Sequence, residues 1–562
     1  MNQKLCLTAA LSAAVLLSSC GKKLGALNAD YFTTNPNPLE VVGEKVPATV
    51  TGKLPAKYFE KNAVLTVTPI LVYNGTETAS QPYSFQGEKV RGNNPVVSYE
   101  YGGTITVPAA YAFTPAMSQA QLELAFTVNQ GSKQYVLPRV KVANGVITTA
   151  AMADAATVNP AIGADAFQRD INQKYAADIM FLINQANIRA GELNTDAMQE
   201  LRNQIASTVG NDKLQLDEIN IQAYASPDGT YAFNEQLAEK REQNTRSYMN
   251  SQLKKDKLAE FQNLTANFTA EDWEGFQKLV SQSNIQDKEL ILEVLKMYKD
   301  PDQREQEIHN MSAVFEQLAE TILPQLRYSR ITASIKVIGK TDEEILNIYA
   351  SNPRDLNIEE LLYCATLTDD NNRRMEIYKK ATEIYPNDYR TWNDLGMTQY
   401  VAHNYKDAAA SFAKAAQIAP AGAEPRMNLG LMELLNGNYA NAKNYFGTAA
   451  GPSELNDALG VYYLKVGDNN SAAKAFGDSK SNNAALAQIL TKDYTKAKQT
   501  LAGISKPDAT TYYLMAVLGA RTNNEQMLTS NLRQAIKLDR TLAEKAAKDL
   551  EFANFNLSRA LN

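Results

Sequence analysis

"WNDLGMTQYVAHNYKDAAASFAKAAQIAP", residues 392 to 420, is answered one step further along the chain by the same skeleton of small and apolar residues. Leu395, Gly396, Ala408, Phe412 and Ala415 fall against Leu429, Gly430, Ala442, Phe446 and Ala449, and every step is 34 residues. A third copy carries Leu459, Gly460, Tyr463, Ala472 and Phe476 at a shortened spacing. Within each copy the apolar residues recur at helical spacing, so a copy reads as two antiparallel helices. Gly and Ala let the two helices approach closely, while Trp392 and the Phe residues fill the seam to the next pair.

Period, paired helices and the closing Pro420 resemble the tetratricopeptide repeat. "IYKKATEIYPND" (377 to 388) is similar to the second helix of a preceding repeat, and "YTKAKQTLAGI" and "MLTSNLRQAIKLD" to degenerate pairs that follow. The resemblance implies an all-α solenoid over residues 341 to 562, with a concave groove that docks other proteins.

Upstream the pattern changes. "VPATVTGKLP", "AVLTVTPILVY", "VVSYEYGGTITVP" and "AQLELAFTVNQGSKQYVLPRVKVANGVIT" are short Val-, Thr- and Tyr-rich runs broken by Gly, Pro and Asn. They predict a β-sandwich over residues 41 to 150, with "NQGSKQ" as a hairpin turn. The Ala-rich stretch 148 to 166 reads as a linker or a loosely packed connection. Then strand and helix alternate: "ADIMFLINQANIR" as a strand, "TDAMQELRNQIAST" as a helix capped by Thr195, "LDEINIQAYA" as a strand and "AFNEQLAEKREQNTRSYMNSQL" as a helix. "RYSRITASIKVIG" closes the unit after a helical insertion over about 254 to 326, which gives an α/β domain of residues 165 to 340.

Within it, "IQAYASPDGTYAFNEQLAEKREQ" (221 to 243) resembles the OmpA-like peptidoglycan-binding domain, with Tyr224, Gly229, Asn234, Leu237 and Arg241 at the family's spacing. "EDWEGFQKLV" and "DPDQRE" are similar to the variant found in Bacteroidota envelope proteins. The resemblance implies binding of the diaminopimelate of a stem peptide, where a carboxylate meets the ammonium and a planar guanidinium meets the carboxylate. Ser226 occupies the family's aspartate position, and the nearest carboxylate, Asp228, stands two residues later, where it equally fits a helix cap. Candidates for the stem peptide are Ser226, Asp228, Asn234 and Arg241. The alternative for Arg241 is a solvated helix residue beside Glu239 and Glu242.

The first nineteen residues carry Lys4 and the apolar run "LCLTAALSAAVLL", too short to span a bilayer. "LSSC" then resembles a lipobox, which implies cleavage before Cys20 and acylation of that residue. Lipid on Cys20 anchors without spanning. "GKKLG" lacks the aspartate of inner-membrane retention and the acidic cluster of surface export, which implies an outer-membrane lipoprotein facing the periplasm. Residues 20 to 40 read as a tether.

A net charge of −6 gives no electrostatic footprint for nucleic acid. With Cys6 in the signal and Cys20 acylated, one thiol remains, Cys364, and one thiol forms no internal disulfide. Neither of the two histidines, His309 and His403, sits in a metal-ligand spacing, and no GxSxG elbow, P-loop or dinucleotide fingerprint occurs. No cofactor is implied. The expectation is a non-enzymatic envelope scaffold that touches the cell wall and docks envelope proteins; the alternative is an accessory subunit of an outer-membrane complex that has lost wall binding, and a wall-modifying enzyme ranks last.

Overall fold

The computed structural model describes residues 24–285 and 287–561, and divides into two compact units: residues up to Ala164 together with those from Asp370 onward, and Asp165–Asp369. The segment before residue 24, with the apolar run and Cys20, lies outside the described residues.

The first unit opens as a β-sandwich. Phe32–Asn35 (β1), Leu39–Glu40 (β2), Lys45–Leu54 (β3), Ala63–Tyr73 (β4), Thr76–Ala79 (β5), Tyr83–Gly87 (β6), Val96–Val97 (β7), Gly103–Ala112 (β8), Gln121–Gln130 (β9), Lys133–Asn144 (β10) and Val146–Ile147 (β11) are its strands. One sheet runs β1-β3-β8, the other β10-β9-β4-β6-β7, and β2 pairs with β11. Alternation produces the core: Val46, Ala48 and Val50 on β3 and Ile105, Val107 and Ala109 on β8 face Leu65, Val67, Leu122, Leu124 and Phe126. The β9–β10 turn is the expected hairpin, with Gln130 paired to Lys133 and Gly131 at φ +60°. Residues 24 to 40 correct the tether expectation: Leu24 and Leu27 are buried in the sandwich core, and β1 pairs with β3. Their few apolar residues are spent as anchors, which shows only once the partner sheet is known.

The second unit is α/β. Asp170–Met180 (β12), Leu214–Tyr224 (β13), Leu264–Thr269 (β14) and Tyr328–Ile338 (β15) form a sheet in the order β12-β15-β13-β14. Asp196–Ser207 (α1) is capped by Thr195 and buries Met198, Leu201 and Ile205. Tyr231–Lys255 (α2) crosses from β13 to β14, which run parallel. Two expectations are corrected here. The first strand spans 170–180 rather than 177–189, because an eleven-pair antiparallel ladder with β15 fixes its length. The insertion is not wholly helical either: "LTANFT" forms β14, and the helices Trp273–Gln282 (α3), Lys288–Met297 (α4), Pro301–Asn310 (α5) and Ser312–Thr321 (α6) follow it around a core that includes Phe276, Val280 and Ile291. Asp342–Ser351 (α7) and Ile358–Thr366 (α8), expected with the repeats, belong to this unit.

The rest of the first unit is helical. Asn371–Ile384 (α9) precedes the pairs Tyr389–Val401 and Tyr405–Ile418 (α10, α11), Ala423–Leu435 and Tyr439–Phe446 (α12, α13), Leu455–Val466 and Asn469–Phe476 (α14, α15), Asn482–Leu490 and Tyr494–Ala502 (α16, α17), and Ala509–Arg521 and Glu525–Leu538 (α18, α19). Leu542–Lys548 (α20) follows. The glycine that recurs in the first helix of three pairs is held against the phenylalanine of the second. A Cβ built on Gly396, Gly430 or Gly460 would stand 2.7, 2.7 and 2.5 Å from the ring of Phe412, Phe446 and Phe476. Only glycine permits that approach. His403, at φ +61°, sits in the turn between α10 and α11.

The stretch 148 to 166 is neither loose nor a plain linker. Its buried residues Ala153, Ala155, Val158 and Ala161 belong to the same apolar cluster as the repeat helices. It is a strap laid across α16, α12 and α10, and the α/β unit is inserted in the chain between the strap and the repeats.

Candidate functional site

Two places gather buried polar side chains. The first is the face of the repeats under the strap. Asn483 on α16 accepts from the Asp154 N–H (2.9 Å) and donates Nδ2 to the Asp154 carbonyl (2.8 Å). Asn428 on α12 repeats the arrangement with Ala161, accepting at 2.7 Å and donating at 2.8 Å. On α10, Asn393 donates to the Ala161 carbonyl (2.9 Å), Asp394 accepts from the Gly163 N–H (2.7 Å), and Tyr400 donates its hydroxyl to the Ala155 carbonyl (3.0 Å).

These bonds go to main chain, and Asn483 Nδ2 also donates to Thr157 Oγ1 (2.9 Å), so the face reads mostly the backbone of a strap that makes one 3-10 turn at Ala155–Thr157. What it requires of the side chains is size. Ala161 has no exposed surface, and a Cβ on Gly163 would come within 2.8 Å of Arg390 Cγ. Desolvation is severe: Asn393 and Asn428 are fully buried, and burial pushes the Asp394 carboxyl up to about 7, against the pull of the Asn393 and Gly163 hydrogen bonds. Its Oδ2 has no hydrogen-bond partner.

Sequence reasoning missed this set, although a signal was present. Gly396, Gly430 and Ala485 lie twelve residues before Ala408, Ala442 and Ala497, and two residues before each stands a polar residue: Asp394, Asn428 and Asn483. A polar residue repeated at one register position on a packed helix face is a binding pattern and costs stability when unpaired.

The second place is the carboxyl end of β13. All four predicted residues come together there, and their partners are internal. Arg241 has no exposed surface; its Nε donates to the Gln185 carbonyl (3.0 Å), and its two terminal nitrogens donate to the carbonyls of Tyr224 (2.8 Å) and Leu182 (3.2 Å). The guanidinium lies 5.0 Å from the centre of the Phe181 ring. Burial, then the nearby Arg327, lowers its pKa to about 10. The solvated-surface alternative for Arg241 is thereby corrected.

Asp228 does not cap α2. Its carboxylate accepts from Ser226 (2.8 Å) and pairs with Arg327 (2.7 Å), whose Nε also donates to Ser226 Oγ (3.0 Å). The Tyr231 N–H at the helix start is taken instead by Asp302 (3.0 Å). Asn234 donates to the Gly229 carbonyl (2.8 Å) and to Glu271 (2.9 Å), which also accepts from Trp273 Nε1 (2.8 Å). Glu271 and Asp302 lie in the two quoted stretches "EDWEGFQKLV" and "DPDQRE", so both return to this strand end; Arg327 had no signal. Burial raises Glu271 and pushes Glu305 up to about 7, with Glu271, Asp228 and Asp302 adding repulsion.

Among the described residues no group of three or more His, Cys, Asp or Glu is placed to hold a metal ion, and no helix is long and apolar enough to cross a membrane.

No family model matches the chain, and no curated protein matches it. Solved structures similar to it include a tetratricopeptide repeat protein from Parabacteroides merdae, at 12% identity over 39% of this chain and 91% of that one, with a TM-score of 0.29. PilF of Pseudomonas aeruginosa is similar at 17% identity over 35% of this chain and 99% of its own, TM-score 0.30. The Cut9–Hcn1 hetero-tetramer is similar at 14% over 51% and 58%, TM-score 0.33.

Proposed function

We propose that the chain is a non-enzymatic scaffold of the cell envelope, acylated at Cys20 and held to the outer membrane on its periplasmic side, whose helical repeats serve protein association. The observation that carries this reading is the repeat face itself, where Asn393, Asn428 and Asn483 bind the main chain of a segment laid across the helices. A surface that reads backbone recognises peptide.

The α/β unit supports the interaction-only form of the reading. A stem-peptide carboxylate needs guanidinium donors it can reach, and Arg241 has no exposed surface, with each of its three nitrogens donating to a carbonyl inside the fold. Wall contact is a second reading, favoured by the convergence of Ser226, Asp228 and Asn234 at one strand end; it requires the Asp228–Arg327 pair to open for an incoming ammonium. Co-sedimentation of the wild-type chain with purified peptidoglycan separates the two, since pelleting supports wall contact and a chain that stays in the supernatant removes it. Affinity capture from cross-linked outer membranes tests the scaffold: a stoichiometric protein partner is expected, and recovery of wall fragments alone would contradict it.

A further inference from the structure

We infer that the face of the repeats under the strap is a binding site for a peptide of small and compact side chains, and that residues 153 to 164 are its ligand in cis, which keeps the site closed to peptides in trans. This rests on the interaction reading above and names the ligand class.

The strap has the features of a bound peptide. It runs opposite to the order of the repeats, meeting α16 at Asp154, α12 at Ala161 and α10 at Gly163. Its buried side chains are Ala153, Ala155, Val158, Pro160 and Ala161, with Gly163 closing onto Arg390, while Asp154 and Ile162 point to solvent. Asn428 and Asn483 each hold both the N–H and the carbonyl of one strap residue. That double grip fits any residue whose side chain is small enough for the seat.

A segment attached at both ends is present at an effective concentration on the order of millimolar, so a free peptide at micromolar concentration does not compete with it. The site is therefore silent until the strap leaves. The ligand class is a segment with Ala, Gly, Val or Pro at the inward positions, as in the strap, and polar residues allowed at the outward positions.

The probe is a fluorescent synthetic peptide of residues 152 to 165, titrated into the purified chain from residue 21. The wild type is expected to show no saturable binding. Ala161→Arg with Gly163→Val, which drives the strap from its seat, is expected to bind the peptide at least about tenfold more tightly than the wild type, the strap no longer competing in cis. Adding Asn428→Ala and Asn483→Ala should return binding to the wild-type background. Peptide binding that is no better in the strap variant, or that ignores the two asparagines, overturns the proposal.

Should the strap variant not fold, amide exchange of the wild type decides. Opening of Asp154, Ala161 and Gly163 ahead of the α12 amides supports a replaceable ligand, and release only together with those helices makes the strap a fixed part of the core and overturns it. Both assays use purified chain, so loss of the envelope setting would leave their outcome standing.

Discussion

Asn428→Ala is the most informative single perturbation. Asn428 is fully buried and makes three hydrogen bonds: it accepts from the Ala161 N–H at 2.7 Å, donates to the Ala161 carbonyl at 2.8 Å and donates to Asn393 Oδ1 at 2.9 Å. Alanine leaves the Ala161 carbonyl a donor, since Asn393 still reaches it at 2.9 Å. It leaves the Ala161 N–H without an acceptor and Asn393 Oδ1 without a donor. At about 1–3 kcal/mol for each of the two orphaned buried groups, the strap contact should lose ~2–6 kcal/mol. Every 1.4 kcal/mol is a factor of ten, so local opening should become about 30-fold to about 20,000-fold more frequent. Hydrogen exchange with peptide-level resolution reads this: amides of 153 to 163 should exchange faster by that factor, while those of α2, in the other unit, should not change. Strap amides within about threefold of wild type would refute the reasoning, because they would show that the asparagine is not holding the backbone.

Three further outcomes follow from the same geometry. Gly430→Ala, which in an exposed helix would add stability, should instead cost ~1–3 kcal/mol in chemical denaturation because the new methyl meets Phe446, and Phe446→Leu in the same chain should recover part of the loss. Arg241→Lys replaces a fork on three carbonyls with one ammonium and should lower the melting temperature of the α/β unit through loss of about 3 kcal/mol; an unchanged melt would contradict the buried assignment. Asp394 has a folded-state pKa near 7 against 3.8 for the free carboxyl, so the folded chain holds a proton that the unfolded chain releases between those values. Stability of the repeat unit should therefore be greatest below about pH 4 as far as this group is concerned, fall as pH rises to 7 and level off above, and Asp394→Asn should flatten that slope in pH-dependent melts.

Much of this molecule is legible in its sequence, and the gaps have physical causes. The 34-residue step is visible because Gly396 and Gly430 must face Phe412 and Phe446, a packing demand that fixes residue types. The sandwich strands show through alternation on β3 and β8. What is hidden is long-range. Leu24 and Leu27 look like isolated apolar residues in a polar leader until the sandwich covers them. The strap reads as linker because Ala, Gly and Pro carry no periodicity, and its order comes from Asn428 and Asp394, more than 200 residues away. At the strand end of β13 the candidate residues were found by their motif, yet the motif cannot tell whether a guanidinium faces solvent or carbonyls. Arg241 faces carbonyls, and the residues that decide this, Leu182 and Gln185, lie about sixty positions earlier.

The claim on which the account rests is that the chain's own strap lies across α16, α12 and α10, and a cysteine pair tests it most directly. A Cβ on Gly163 would stand 3.0 Å from Arg390 Cβ, close to the ~3.8 Å of a disulfide and reachable by a small relaxation. With Gly163→Cys and Arg390→Cys together, oxidation should yield a monomeric chain in which peptide mapping joins the two positions, while neither single variant gives that product. Free thiols at both substituted positions after oxidation, or a bond formed only between separate chains, would show that the strap does not lie where the account requires it.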